Sequence, residues 1–191
     1  MGSIYNSLTG YGGQGDKGSA ARPNTYRTGL TREELSALYQ FNGYAARVVD
    51  QLADDSTRKG WTIAPGEDEE DLAGEFGRLQ VFSRVGECVR LARLYGGSGG
   101  LLVTDDGEED LSKPLRLDSL RKVISIVPLD AYELTPAKWT RSPTDPNYRN
   151  PETWYTYPRD LSGASQPIVH HTRMLYFFGR KLPPNLRWTL E

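Results

Sequence analysis

The chain has little cysteine and histidine and no long apolar run, and each shortage excludes a class of protein. Cys88 is the single cysteine among 191 residues, so no disulfide can form within the chain. One cysteine and two histidines are too few for a zinc site built from soft ligands. No apolar run approaches the ~18 residues that span a bilayer, and no secretion signal opens the chain. We therefore expect a soluble intracellular protein with no membrane partner, metal or cofactor.

Apolar residues and net charge are also scarce. The apolar fraction is 37%, with 20 Gly and 12 Pro, and the mean hydropathy is −0.59. These values indicate one loop-rich domain with a modest core. The net charge of −2 gives no general attraction to nucleic acid. Any contact with DNA must therefore be local or depend on shape.

The first thirty residues differ from the rest. They are rich in Gly, Ser, Asn and Thr, which predicts a flexible arm over residues 1–30. Within them Gly10–Gly15 matches a dinucleotide-binding loop by letter, but no apolar strand precedes it and no helix can follow. Residues 31–191 are expected to form a single α+β domain. We expect this domain to be the N-terminal part of a longer protein, because its last residues are apolar without a closing element.

Helical patterns open that domain. Thr31 and Glu34 form a capping box ahead of a first apolar stripe, which Asn42-Gly43 interrupts. A second stripe follows and is expected to end at Asp54-Asp55, because paired aspartates disfavour a helix. The apolar members of this second stripe are Tyr44, Val48, Val49 and Leu52.

Two further helices are predicted before the strands begin. Residues 68–79 indicate an acidic helix that faces solvent. The strongest pattern covers Phe82–Tyr95 and ends at Gly96-Gly97, which is typical of a left-handed cap. Cys88 lies on the apolar face of this helix and is expected to be a buried small hydrophobe.

Strand patterns fill the second half. Leu101–Val103 and Val123–Leu134 are apolar and extended, although Pro128 excludes a central place for the whole of the second. Three more strands are predicted at Trp154–Tyr157, Ile168–His170 and Met174–Phe178. Because the helices come first, the sequence predicts an α+β fold: a helical N-terminal half packed on a small, mostly antiparallel sheet.

His170-His171-Thr172 is the one enzyme-like pattern. H-x-T is half of the signature of the two-histidine phosphoesterases, whose histidines act as general acid or base. That chemistry requires two such motifs on one phosphodiester, whereas the two histidines here are adjacent. The alternative is structural: strand alternation directs one imidazole inward and the other outward, while Thr172-Arg173 shape the next turn. We expect no catalytic residue.

Other patterns resemble functional sites only in composition. The acidic run Asp105–Asp110 lacks the ligand spacing of a calcium loop and is expected to be a solvated hairpin turn. Gly96–Gly100 follows a helix, so it has no helix N-terminus for a phosphate and is expected to be a close-packed reversal. The aromatic-rich region Tyr132–Tyr157 is either an assembly surface or a set of ordinary, partly buried side chains.

Ala45–Trp61 leads from a helix into a charged corner. Asp54, Asp55 and Arg58 could be mistaken for a catalytic cluster. We interpret the corner as architectural, with Arg58 available for an ion pair and Trp61 anchoring a first strand, Trp61–Ile63.

Three segments, in order, resemble one family of tailed-phage portal (head-tail connector) proteins, whose name is sometimes shared with anti-CBASS phosphodiesterases. They are Arg47–Trp61, Ala92–Val103 and Val169–Pro183. No single segment is specific, but their order and spacing are. The family-motif positions are Asp50, Asp55, Arg58, Trp61, Tyr95, Gly96, Gly97, His170, Arg173, Gly179 and Pro183.

The resemblance implies a wing-like domain of a homo-oligomeric ring, typically a dodecamer, at the capsid vertex of a phage. Such a ring passes double-stranded DNA during packaging and ejection. Its partners would be the major capsid protein, the terminase and a head-tail adaptor. It would lie in the virion and, during assembly, in the host cytoplasm. Two alternatives stay open: a phosphodiesterase that cleaves cyclic oligonucleotides through His170 and Thr172, and a truncated prophage adaptor domain.

Overall fold

Helices fill the first half of the chain that the structure describes. The computed structural model describes residues 30–61, 69–157 and 167–179, and those from Arg32 onward belong to one compact unit. Its helices are α1 (Arg32–Phe41), α2 (Gly43–Thr57), α3 (Glu69–Arg78) and α4 (Val81–Tyr95). Several predictions fall outside the described residues: the arm apart from Leu30, Thr62 and Ile63 of the first predicted strand, and Pro183.

Asn42 separates α1 from α2, as predicted. Its side chain accepts hydrogen bonds from the backbone N–H groups of Tyr44 and Ala45, at 3.0 and 3.2 Å. These bonds satisfy two of the donors that the start of α2 leaves open.

The predicted end of α2 at Asp54-Asp55 is wrong, because the helix continues to Thr57. Asp54 accepts a hydrogen bond from Arg90, and Asp55 accepts one from Gln51 one turn earlier, both at 2.9 Å. A carboxylate that is bonded to another side chain does not compete for the helix backbone.

The predictions for α3 and α4 are confirmed. The described side chains of α3 are mostly exposed. One face of α4 is buried, and the helix ends at Gly96 with a left-handed φ of 86°. Cys88 lies on that buried face and is fully enclosed.

Six strands follow in the described chain. They are β1 (Gly97–Asp105), β2 (Lys122–Asp130), β3 (Leu134–Trp139), β4 (Pro151–Thr156), β5 (Ile168–His170) and β6 (Met174–Phe178). They form two antiparallel sheets with the orders β2-β1-β6 and β3-β4-β5. The α+β prediction is therefore confirmed, with two small sheets in place of one. Pro128 lies in β2 at a sheet edge, where a strand tolerates its missing N–H.

The core has two layers, one on each face of the first sheet. Val81 and Val85 of α4 pack with Ile126 on one side. Between the two sheets lies a second cluster, formed by Leu129, Leu134, Trp154, Val169 and Met174.

The glycines of β1 allow the layers to approach closely. β1 begins at Gly97 rather than at Leu101, so the glycine run is part of the strand as well as of the reversal. A Cβ on Gly99 would come within 2.7 Å of the Met174 sulfur and 2.8 Å of Leu134. The prediction of a close-packed glycine segment is confirmed on this point.

Candidate functional site

Arg173 lies at the centre of the site that contains the histidine pair. Its guanidinium is fully buried and forms an ion pair with Asp106, with a shortest N–O distance of 2.6 Å. A second bond of the same pair spans 3.3 Å, which makes it bidentate. Nε also donates to the carbonyl of Lys113 at 3.1 Å, and a terminal nitrogen donates to the Thr104 hydroxyl at 3.0 Å. We call Asp106, His170, Thr172 and Arg173 the Arg173 cluster.

Asp106 corrects the prediction of a solvated hairpin turn. The residue is 1% exposed, and the chain takes sixteen residues, 106–121, to pass from β1 to β2. One carboxylate oxygen accepts a hydrogen bond from the backbone N–H of Arg116 at 3.2 Å, and the Asp106 carbonyl accepts one from the Ser119 hydroxyl at 2.7 Å. The hydrogen bond from Arg173 holds the pKa of the Asp106 carboxyl below its ordinary value. Asp106 is therefore a charged anchor for the loop 106–121.

His170 and Thr172 hold the same loop from the other side. The Thr172 hydroxyl lies 2.9 Å from Nδ1 of His170 and accepts a hydrogen bond from the backbone N–H of Leu115 at 2.8 Å. The backbone N–H of Thr172 donates to the same Nδ1 at 3.3 Å, which assigns the ring proton to Nε2. The backbone N–H of His170 donates to the carbonyl of Leu111 at 2.8 Å. The Thr172 hydroxyl and Nδ1 thus serve internal bonds.

The expectation that the two imidazoles face opposite ways is wrong. The strand ends at His170, and His171–Arg173 form a 3₁₀ turn. The two rings therefore lie against each other, with centroids 4.4 Å apart. Burial, and then the neighbouring His171, lower the pKa of His170. The expectation that Thr172-Arg173 shape the turn into β6 is confirmed.

A second polar cluster joins α2 to α4. Asp50 accepts a hydrogen bond from the Tyr39 hydroxyl and pairs with Nε of Arg90, both at 2.7 Å. The other end of Arg90 pairs with Asp54 at 2.9 Å. Burial and the bond to Asp50 raise the pKa of Tyr39. Sequence reasoning missed Arg90, because it lies a whole helix away from the aspartates that it joins.

The residues of the predicted charged corner make different contacts. Arg58 makes the expected ion pair with Asp55, at 3.8 Å and in an exposed place. Trp61 is 46% exposed and lies outside any strand. Its ring instead meets Phe82 edge-on, with centroids 5.0 Å apart. Asp54, Asp55 and Arg58 therefore do not form one cluster.

The second and third family segments meet in space. The backbone N–H of Gly179 donates to the carbonyl of Gly96 at 3.1 Å. A Cβ on Gly179 would strike the backbone oxygen of Ala92, so only glycine fits there without a shift. Next to this contact, Tyr95 hydrogen-bonds Ser36 of α1 at 2.8 Å. Gly97, the first residue of β1, pairs with Phe178 of β6.

α1 is tied to the first sheet by a further ion pair. Arg32 pairs with Asp130 at 2.6 Å and lies over the ring of Tyr132. The Tyr132 ring in turn meets Tyr95 edge-on. In the region Tyr132–Tyr157, Trp154 is 3% exposed and belongs to the core, whereas Trp139 is 40% exposed.

The described residues contain neither a group of metal ligands nor a helix that could span a membrane. No three His, Cys, Asp or Glu side chains come together there in a way that could hold a metal ion. None of the described helices combines the length and apolarity that crossing a bilayer requires.

The fold defines the class of protein, an α+β domain with two small antiparallel sheets. Comparison with known families then gives the family, because the profile described as phage portal protein matches residues 33–189. The chain belongs to the phage portal protein family. It is also similar to a Caulobacter sp. (strain RHG1) protein named anti-CBASS protein Acb1, with 29% identity over 186 residues. That match covers 93% of this chain, and the chain spans about 28% of the length of that relative.

Proposed function

We propose that this chain is a subunit of a phage portal, a homo-oligomeric ring at the capsid vertex. The ring, usually a dodecamer in this class of protein, would conduct double-stranded DNA during packaging and ejection. The observation that carries the proposal is the family match over residues 33–189. The site of action would be the virion, and the host cytoplasm while the head is assembled.

The expected partners follow from the proposed position at the capsid vertex. A subunit at the vertex would contact the major capsid protein, the terminase and a head-tail adaptor. The net charge of −2 suits a conduit, because a channel must let DNA slide rather than hold its phosphates. Residues 31–191 would supply a wing-like domain of this ring, and residues 1–30 an arm.

We propose further that the H-x-T sequence serves the fold rather than a reaction. The Thr172 hydroxyl accepts the Leu115 N–H, and the Arg173 guanidinium is enclosed against Asp106. A phosphate oxygen would have to displace these bonds. The family-motif residues His170, Arg173 and Gly179 are accordingly proposed as structural positions.

Particle mass tests the ring. The purified chain, measured by mass photometry and negative-stain microscopy, should give a discrete closed ring of many subunits. A chain that stays monomeric at micromolar concentration would contradict the proposal and favour an adaptor domain.

Hydrolysis tests the non-enzymatic role. The chain incubated with cyclic dinucleotides and trinucleotides should leave them intact in a chromatographic assay. Cleavage that disappears in a folded His170→Asn variant would refute this part of the proposal.

A further inference from the structure

An apolar stripe on α1 and α2 faces outward. Phe41 is 85% exposed, Tyr44 88% and Val48 65%. Leu38 and Leu52 are exposed to 43% and 50%. We call these five residues the outer stripe. On α2 its members recur every four residues, so their side chains form one ridge along the helix.

The opposite face of α2 explains why the stripe is free. α2 lies on α4 through small side chains: Ala53 is fully buried, and a Cβ on Gly86 of α4 would come within 3.2 Å of the Thr57 hydroxyl. Small residues allow two helices to approach closely. Tyr44, Val48 and Leu52 therefore lie on a side of α2 that the described residues of its domain leave exposed.

The outer stripe is large for a surface that stays in water. Its five side chains expose on the order of 600 Å² of apolar surface, since a large aromatic side chain alone carries roughly 200 Å². The largest apolar patch of a typical monomer is about 300–600 Å² and is often functional. Each partner in a standard protein interface buries about 800 Å². The outer stripe alone would therefore supply most of one partner's share of a standard interface.

We propose that the outer stripe is the surface on which a second copy of this chain docks. This inference rests on the proposed ring and names the contact that would build it. Exposed polar residues such as Arg47 and Gln51 flank the stripe, which gives an apolar, aromatic centre with a polar rim. In a closed ring every subunit presents the same patch to a different patch of its neighbour. The outer stripe of each subunit would then be covered by the next subunit, all around the ring.

Paired variants test the inference against the proposed function. Tyr44→Ser combined with Val48→Ser removes two outward side chains, so the subunit should keep its circular dichroism and melting temperature. Its assembly should weaken at least about tenfold in concentration, because aromatic residues at an interface centre dominate binding. Leu117→Ser is the matched control, since Leu117 is 73% exposed on a separate 3₁₀ turn. This control should assemble as the unchanged chain does.

The outcomes separate the two proposals. If the unchanged chain forms rings and the double variant forms them equally well, the docking surface is wrong and the portal function stands. If the unchanged chain is monomeric at every concentration, both fall.

A photo-crosslinker identifies what covers the stripe. A benzophenone side chain at position 44 should join two copies of the chain, seen as doubled mass, and one at position 117 should not. A crosslink that stays within one chain, for example to residues 180–191, would overturn the inference in favour of an internal cover. No crosslink at all would overturn it as well.

Discussion

Arg173 is a charged side chain in the interior of the fold, and Asp106 compensates that charge. Burial of an ion is costly unless its partner and hydrogen bonds come with it. Here the bidentate pair with Asp106, the Lys113 carbonyl and the Thr104 hydroxyl meet that need. The Arg173 cluster thereby fastens the loop 106–121 to the turn between β5 and β6.

Removal of Asp106 should therefore destabilise the protein strongly. Asp106→Ala leaves Arg173 buried without its counter-charge, and we expect a loss of about 3–5 kcal/mol in the free energy of unfolding. Asp106→Asn keeps an acceptor and should fall between this variant and the unchanged chain. Urea unfolding followed by circular dichroism measures both.

The exposed pair of Arg58 and Asp55 is the control for that measurement. Its side chains are 71% and 46% exposed, so Arg58→Ala should cost less than about 1 kcal/mol. Equal losses in Asp106→Ala and Arg58→Ala would show that burial of the Arg173 pair does not matter to stability.

Cys88 should be chemically silent in the folded protein. Burial raises the pKa of its thiol to about 12, so almost no thiolate is present near neutral pH, and solvent does not reach it. Reaction with a disulfide reagent should be on the order of a hundredfold slower than in urea. Leu117→Cys in a Cys88→Ala background gives the exposed comparison and should react at once. Fast labelling of Cys88 in folded protein would contradict its burial.

At the scale of the element, apolar periodicity and glycine positions in the sequence predicted most of the helices and strands that depend on local sequence alone. The apolar face of α4 and its glycine end gave that helix to within one residue, and short strand-like runs located β5, β6 and part of β4. The predicted extended segment Val123–Leu134 is instead interrupted by a 3₁₀ turn at Ala131–Glu133, and β3 starts at Leu134. The end of α2 was predicted too early, because the partners of Asp54 and Asp55 are side chains that propensity does not consider.

Long-range partners lay beyond such signals. Asp106 stands in an Asp-Asp-Gly sequence, which is typical of a solvated turn. Its actual partner is Arg173, sixty-seven positions further along the chain. Periodicity likewise identified the stripe on α2, but a period cannot say which face of a helix meets its own domain.

Close backbone approach between the end of α4 and β6 predicts a contrast between two glycines. Gly179→Ala should cost about 1–3 kcal/mol, because its Cβ meets the backbone oxygen of Ala92, which cannot turn aside. Gly74, inside α3, has open space around it, so Gly74→Ala should stabilise the helix by about 1 kcal/mol. Calorimetric melting temperatures should move in opposite directions. A Gly179→Ala variant with an unchanged melting temperature would show that Gly179 does not pack closely against the end of α4.

At the scale of the whole molecule, the polar clusters connect parts of one subunit, whereas the large apolar residues of the outer stripe lie on its surface. Three polar contacts join separate elements of the same subunit: the Arg173–Asp106 pair, the pairs of Arg90 with Asp50 and Asp54, and the Thr172–Leu115 bond. The outer stripe, in contrast, is a large apolar feature on the surface of the described residues. A subunit that is held together by internal polar clusters can present apolar surface to a neighbour without rearrangement, which suits the proposed ring.

The stability of the whole fold should also fall with acidity as His170 becomes protonated. Its pKa is lowered in the folded chain, chiefly by burial. The unfolded chain then binds the proton more readily, so the contribution of His170 is complete above the ordinary pKa of about 6.5. That contribution is lost as the pH falls from there through the lowered value.

The slope of stability against pH is measured from unfolding free energies between about pH 7.5 and 5.5. This range brackets the ordinary histidine pKa. His170→Asn should flatten the slope, because no group is left at position 170 to take up the proton. His171→Asn should keep most of it, since burial affects the pKa of His170 more than His171 does. An identical slope in the unchanged chain and in His170→Asn would mean that the acid sensitivity comes from elsewhere. The Asp106 carboxyl, whose pKa is also lowered, would act only at still lower pH, as its protonation begins to weaken the pair with Arg173.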